Sequence, residues 1–312
     1  MAKHLITIVG PTAIGKTALS IAVAKHLNCE IISCDSRQFY KEMTIGTAVP
    51  SLKELNSVPH HFIQNKSMFE KYTVGDFEKE AIAKLSELFK INDFAVLVGG
   101  SGLYVDAVIK GFDDFPAINP EVRKSLTENL QLYGIGYLQA KLEQLDPIHY
   151  KIIEKENPQR LMRALEVCIS SEKPYSSFLN IKTNTREFTP LIIGITAERD
   201  VIYERINKRV DQMMQGGLLA EAKKIFPHKE LNALQTVGYK ELFNYLDKNI
   251  SLEIAIQDIK KNTRRFAKRQ MTWFKTCREV QWFNFNVEKI EVFNHINFKV
   301  NNIFPPSNLF NK

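Results

Sequence analysis

The stretch GPTAIGKT, residues 10–17, directly follows the apolar run LITIV and opens a segment with helical periodicity. It fits G-x-x-x-x-G-K-[ST], a loop whose backbone N–H groups and lysine wrap a chain of phosphates. Such a loop needs a buried strand behind it and a helix N-terminus in front of it, so it commits this part of the chain to a strand–loop–helix unit of an α/β sheet. Gly10 and Gly15 let the backbone turn tightly, and Pro11, Thr12, Ala13 and Ile14 complete the wrap. Lys16 supplies a point charge and Thr17 a metal-facing hydroxyl, at the start of a helix whose dipole favours anions. The loop alone does not say whether its phosphate is hydrolysed, transferred or discarded.

The N-terminal part alternates short apolar runs with helical stretches: HLITIV, a helix from Lys16 to about Leu27, EIISC, a helix around Val74 to Phe89, then FAVLV. Apolar runs of this length between helices imply a parallel sheet covered on both faces. After Gly111 the turn-rich GFDDFPAINP breaks the pattern, and from Glu121 to Ile169 only helical periodicity is found. A polar connector then leads to LIIGI, another buried strand. The expected architecture is an α/β, P-loop NTPase-like parallel-sheet core made of residues 1–115 and 187–312, interrupted by a helical insertion domain, 116–186. The segment after Phe285 carries no motif and is read as a fraying end.

Asp35 stands at the carboxyl end of EIISC, where open α/β sheets bind ligands. It is a candidate general base or metal-shell ligand, although Asp35 and Gln38 also have the spacing of a helix capping box. FAVLV runs into GGSGLY with no aspartate at its end, where nucleotide hydrolases place a metal-positioning carboxylate. That weakens the hydrolase reading, and no [NT]-K-x-D guanine motif is present. His60 and His61 lack any carboxylate or cysteine spacing for a metal and read as structural. Cys29, Cys34, Cys168 and Cys277 form no C-x-x-C pair and read as reduced thiols.

A net charge of +7 points to an acidic partner. Two helix starts carry arginine where the dipole opposes it: NPEVRK, with Arg123, and NPQRLMR, with Arg160 and Arg163. Together they favour phosphate contacts. Arg205 and Arg209 lie four apart on one helical face and can close over phosphates from the side opposite the loop. KKNTRRFAKRQMTWFKTCR holds eight basic residues in nineteen and no acid. On a helix, Lys261, Arg264, Arg265, Lys268 and Lys275 share one side, with Phe266, Trp273 and Cys277 expected to face inward. With the arginine helix starts, RNA phosphate is the preferred partner over a membrane surface. No apolar run approaches a membrane span or a signal segment, so a cytoplasmic protein without membrane attachment is expected.

In this order, GPTAIGKT, DSRQFY, MTIGTA, PHHF, GGSGLY, PEVR, NPQRLMRALEV, RVDQMMQGGL, TVGYKEL and NTRRFAKRQMTWFK resemble the bacterial tRNA dimethylallyltransferases over roughly residues 5 to 283. Ile14 departs from the family's small polar residue, and Ser101 from its threonine. The resemblance implies transfer of a dimethylallyl group from dimethylallyl diphosphate to the exocyclic N6 amine of the adenosine 3′ of the anticodon. Diphosphate is then a leaving group and Mg²⁺ the cofactor; apart from the resemblance, a monomer is expected. The helical insertion would grip the anticodon stem-loop of tRNA. By the same resemblance Asp35 is the base, while Lys16, Thr17 and Arg209 hold the diphosphate with the loop, Arg123 and Arg205. Contacts to tRNA are implied for Asp35, Ser36, Arg37, Gln38, Ser101, Arg123, Gln159, Arg160, Leu161, Met162, Arg163, Gly238 and Tyr239. On the basic helix they are implied for Arg264, Arg265, Lys268, Arg269 and Lys275.

Two other classes compete. A small-molecule or nucleotide kinase would use the loop for ATP and Arg205 and Arg209 as its lid. A non-catalytic RNA-binding module accounts for the basic helix but leaves the phosphate loop and Asp35 without a purpose.

Overall fold

The computed structural model describes residues 2–179 and 186–303. From the N-terminus it runs β1 (His4–Val9), α1 (Lys16–Leu27), β2 (Ile31–Ser33), α2 (Leu52–Leu55), β3 (His60–His61), α3 (Val74–Ile91), β4 (Phe94–Val98) and α4 (Gly102–Lys110). Four helices follow: α5 (Pro120–Tyr133), α6 (Ile135–Leu145), α7 (Pro147–Ile152) and α8 (Pro158–Ser171). The chain then returns through β5 (Thr189–Thr196), α9 (Arg199–Gln215), α10 (Leu218–Ile225), α11 (Tyr239–Leu246), α12 (Leu252–Lys275), β6 (Gln281–Asn284) and α13 (Lys289–Ile303). Contacts divide it into two units, one of residues 1–110 with 186–312 and one of residues 111–185.

In the first unit six parallel strands lie in the order β3-β2-β4-β1-β5-β6. β1 is buried along its whole length because it is hydrogen-bonded on both sides, to β4 and β5, and covered on both faces. One face carries Leu5, Val9, Leu97 and Phe77 in a cluster under α3 and α4; the other carries Ile6, Ile8, Val96 and Ile193 under α1. A third cluster joins α10, α11 and the start of α12 around Tyr239, Met43 and Leu242. His60 and His61 form the edge strand β3, paired with Ile31 and Ile32, so these histidines are sheet residues. The segment after Phe285 does not fray up to residue 303. In α13, Val292 and Ile296 are fully buried, and Phe293 stacks on His26 of α1 with ring centroids 4.2 Å apart.

The second unit has its own core, in which Leu126, Leu138, Leu142, Leu161 and Leu165 meet. Three of its four helices, α5, α7 and α8, start where the sequence supplies a cap followed by proline. Asn119 accepts the Glu121 N–H before Pro120, Asp146 the His149 N–H after Pro147, and Asn157 the Arg160 N–H before Pro158.

Candidate active site

A cavity of about 1020 Å³ opens at the carboxyl ends of β1, β2 and β4. Its floor is the glycine loop. Gly10 sits at φ +146, where a Cβ would come within 2.4 Å of the Ile195 carbonyl oxygen, so only glycine lets β1 turn beside β5. Ile14 is buried in the core beneath the loop, which explains why an apolar residue is accepted there. Gly15 caps α1 in a left-handed conformation with no side-chain cap, and the first turn holds no acid, so the positive end of the helix faces the cavity uncompensated.

Lys16 folds back over this loop, donating to the carbonyls of Gly10 (2.9 Å) and Pro11 (2.8 Å). Burial pushes its ammonium down to about 8; Asp35 opposes that change and Arg209 adds to it. Burial likewise lowers the Arg209 guanidinium from its ordinary value, Asp35 supports its charge, and Arg205 opposes it. Lys16, Asp35 and Arg209 are therefore one electrostatic cluster with two cations and one carboxylate, which an added polyanion would complete. Arg205 donates from Nε to the Ala13 carbonyl at 2.8 Å and lies over the Phe285 ring, latching α9 onto the loop.

Asp35 follows β2 in a turn rather than in a helix, so the capping-box alternative does not hold. Its Oδ1 accepts the Arg37 N–H at 3.0 Å, and Oδ2 has no hydrogen-bond partner among the described residues. Gln38, the would-be capping partner, points its amide to the carbonyls of Thr47 and Ala48 instead. Ser101, in the loop after β4, accepts the Ser36 N–H and donates to the Ser36 hydroxyl, both at 3.2 Å. The two loops that carry Asp35 and GGSG are thereby tied together beside the phosphate loop.

Comparison with known proteins settles the kinship. The model of IPP transferase matches residues 38–277. The chain belongs to the IPP transferase family. It is 63% identical over 300 residues to the tRNA dimethylallyltransferase of Flavobacterium johnsoniae, covering 94% of this chain and 97% of that one. It is 59% identical over 304 residues to the protein of the same name from Flavobacterium psychrophilum, covering 96% and 99%. Among solved structures, the tRNA isopentenylpyrophosphate transferase of Bacillus halodurans aligns with TM-score 0.72 at 40% identity, covering 96% and 97% of the two chains. A eukaryotic dimethylallyltransferase shares the fold, with TM-score 0.84 at 24% identity.

Against this family background the remaining expected residues fall into distinct groups. In α12 the inward face is Ile259, Ala267, Gln270 and Phe274. Phe266 and Trp273, expected to face the core, instead border the cavity at 38% and 39% exposure, with Arg269 over the Phe266 ring. They sit at the edge of the buried stripe, where the helix meets the GGSG loop: Trp273 donates to Asp106, and Gly102 must lack a Cβ because the indole occupies that space. Arg265, Lys268 and Lys275 are exposed, but Arg264 is engaged, donating to Asn207 at 2.8 Å and lying over the Tyr203 ring. Arg37 spends its guanidinium on the carbonyls of Asn232 and Ala233, bracing the segment that leads to Gly238. Tyr239 is fully buried, so its side chain offers nothing to RNA. Its hydroxyl donates to Glu221 at 2.6 Å, and the same carboxylate accepts the N–H groups of Thr44, Ile45 and Gly46. This clamp fixes the loop whose Gly46, Thr47 and Ala48 line the cavity.

In the second unit Leu161 and Met162 are buried core residues, because the helix face that packs on α5 and α6 carries them inward, whereas Arg160 and Arg163 are exposed. The cations at the helix starts are offset within the protein: Arg123 pairs with the buried Glu166 at 3.0 Å, and Arg160 pairs with Glu154 at 3.1 Å. Their presence at a helix N-terminus therefore does not by itself demand an external phosphate. Gln270 and Glu221 went unnoticed in the sequence, since nothing local distinguishes a glutamine or glutamate whose backbone partners lie 170 to 258 residues away.

No helix of the described residues is long and apolar enough to cross a membrane. No group of three His, Cys, Asp or Glu among them could hold a metal. Mg²⁺ does not need such a cage: it keeps several waters and takes one or two protein ligands beside substrate phosphates. Thr17, which lines the cavity at the first turn of α1, fits that role.

Proposed function

We propose that this chain transfers the dimethylallyl group of dimethylallyl diphosphate to the N6 amine of the adenosine 3′ of a tRNA anticodon, releasing diphosphate. The observation that carries the reading is the joint placement of Lys16, Arg209 and the Asp35 carboxylate, whose Oδ2 has no hydrogen-bond partner among the described residues, in one cavity above a phosphate loop. As the allylic C–O bond breaks, negative charge grows on the diphosphate, and Lys16, Arg209 and the α1 N-terminus, which line the cavity, would stabilise it there. Asp35 accepts a hydrogen of the adenine amine and directs the nitrogen lone pair towards the allylic carbon, since this nitrogen is too delocalised to be a good unaided nucleophile. Thr17 would hold Mg²⁺, whose charge would further stabilise the leaving group.

The cavity volume lies at the upper end of the usual range for small-molecule sites, which suits two substrates better than one. The acceptor base must leave its stack to enter, at a cost of a few kcal/mol offset by contacts inside. Exposed Arg265, Lys268, Arg269 and Lys275 on α12, and Arg160 and Arg163 on α8, supply the basic surfaces for the RNA backbone. Incubating the protein with labelled dimethylallyl diphosphate and either unmodified tRNA or AMP tests the proposal. Label in tRNA alone is the expected result; label in AMP, or phosphate transfer from ATP to a nucleoside, would replace this reading with a free-nucleotide prenyltransferase or a kinase.

A further inference from the structure

Gln270 is 6% exposed and stands between Ala267 and Phe274 on the buried face of α12, where helical periodicity calls for an apolar residue. Both ends of its carboxamide are used. Oε1 accepts the Thr12 N–H of the phosphate loop at 2.9 Å, and Nε2 donates to the Gly100 carbonyl after β4, also at 2.9 Å. The approach is tight enough that a Cβ on Gly100 would lie 2.2 Å from Nε2 and 3.6 Å from the Lys16 ammonium. From Gly100 the chain passes to Ser101, whose hydroxyl engages Ser36, the neighbour of Asp35. A single amide therefore stands in a continuous line from the loop that holds the leaving group to the loop that holds the base.

The side chain is suited to this and its neighbours in chemistry are not. Glutamate accepts at both oxygens and cannot donate to the Gly100 carbonyl, methionine does neither, and asparagine is one methylene too short to reach both loops. The helix that carries Gln270 also carries Arg265, Lys268 and Arg269 on its outer side, one to five residues away in sequence.

We propose that Gln270 is a positioning residue that holds the phosphate loop and the GGSG loop at the spacing needed for transfer, and so makes RNA docking on the outer face of α12 felt at the diphosphate site. The proposal rests on the prenyl-transfer reading for its substrates. It does not need Gln270 to touch either of them. Its contribution is to the distance between the allylic carbon and the attacking nitrogen, and a misplacement of about 1 Å there costs on the order of 10²-fold in rate.

The test uses the full-length protein and Q270M, which keeps the length and volume of the side chain and removes both hydrogen bonds. Expected for Q270M are a kcat about 10–100-fold lower and affinities for inorganic diphosphate alone and for an anticodon stem-loop RNA alone within about threefold of wild type. Saturating RNA is expected to shift the diphosphate Kd of the wild-type protein and to leave that of Q270M unchanged. Wild-type kcat in Q270M, an RNA-induced shift equal in both proteins, or no shift in the wild type would each overturn the proposal. Where Q270M melts below the assay temperature, Q270E replaces it, keeping the contact with Thr12 and losing that with Gly100, with the same expectations for kcat and for the RNA-induced shift. If both variants unfold, Gln270 is a core residue and nothing more. Because the binding measurements require no turnover, a wild-type protein that transfers no prenyl group would refute the functional reading while still letting the coupling be judged.

Discussion

Raising the pH should weaken diphosphate binding through Lys16 well before an ordinary lysine would titrate. With no polyanion bound, burial brings this ammonium down to about 8. A pKa of 8 leaves about three-quarters of the molecules protonated at pH 7.5 and about a tenth at pH 9. A bound alkyl diphosphate, whose own last ionisation lies near 6 as for other phosphate monoesters, should return the lysine to its charged form. Affinity should then fall about eightfold between pH 7.5 and 9, and binding at pH 8.5 should draw in about 0.75 proton per site. Calorimetry in two buffers of different ionisation enthalpy reads that uptake directly, and K16M, which cannot titrate, should show none. The same shift has a stability side. The folded pKa lies below the unfolded value of 10.5, so the unfolded chain binds more protons between about pH 8 and 10.5 and stability rises with pH through that window. At pH 7 the charged lysine costs roughly 3 kcal/mol. Unliganded K16M should therefore melt higher than wild type at pH 7, with the gap closing towards pH 10. Constant affinity from pH 7 to 9.5 with no proton uptake would show that Lys16 is an ordinary solvated lysine.

Three further outcomes are expected. D35N should keep its melting temperature and its RNA affinity while single-turnover transfer slows by about 10²–10⁴; near wild-type turnover would leave Asp35 only its turn-forming contact with Arg37. Removing three of the exposed cations of α12 in R265A/K268A/K275A should lower the salt slope of log Kd for tRNA by about 2, from about 0.7 per phosphate contact on a single-stranded loop, and raise KM for tRNA alone; an unchanged slope rules out these side chains as RNA contacts. Y239F leaves the Glu221 carboxylate short of one buried donor and should cost about 2 kcal/mol in chemical denaturation, whereas a loss below about 0.5 kcal/mol would mean that the three backbone N–H groups suffice.

What could be read from the sequence was what is encoded locally. The phosphate loop is eight consecutive residues between a buried strand and a helix, and its identity survives without knowledge of anything distant. Asn119 and Asn157, each followed by proline, announce α5 and α8 for the same reason. Asp35 could be placed at a strand end, but its choice between helix cap and free carboxylate depended on whether Gln38 turned back to it or outward to Thr47 and Ala48. Periodicity put α12 in the right orientation to within part of a turn, which was too coarse to tell core residues from those at the cavity edge; Phe266 and Trp273 lie on that edge. That Arg123 has a buried partner inside the protein could not be read, because Glu166 is distant from it in sequence and close to it in space. β3 is two residues long, and no pattern of alternation can be read from two residues.

The central place of β1 in the sheet bears on how the chain assembles as it is synthesised. His4 pairs with Phe94 on one side and with Thr189 on the other, sequence separations of 90 and 185 residues. The strand that ends in the phosphate loop is thus made before both its neighbours and must wait for them. At about 5–20 residues per second, the second neighbour follows by roughly ten seconds or more. Residues 111–185 are made during that wait and carry a core of their own, so they can close before the sheet does. Until β5 arrives, one edge of a largely apolar strand stays open to other chains, a hazard that a shorter path between β1 and β5 would remove. An insertion that folds from local contacts shortens this path in space, drawing together the ends of a connection that would otherwise be a long flexible loop.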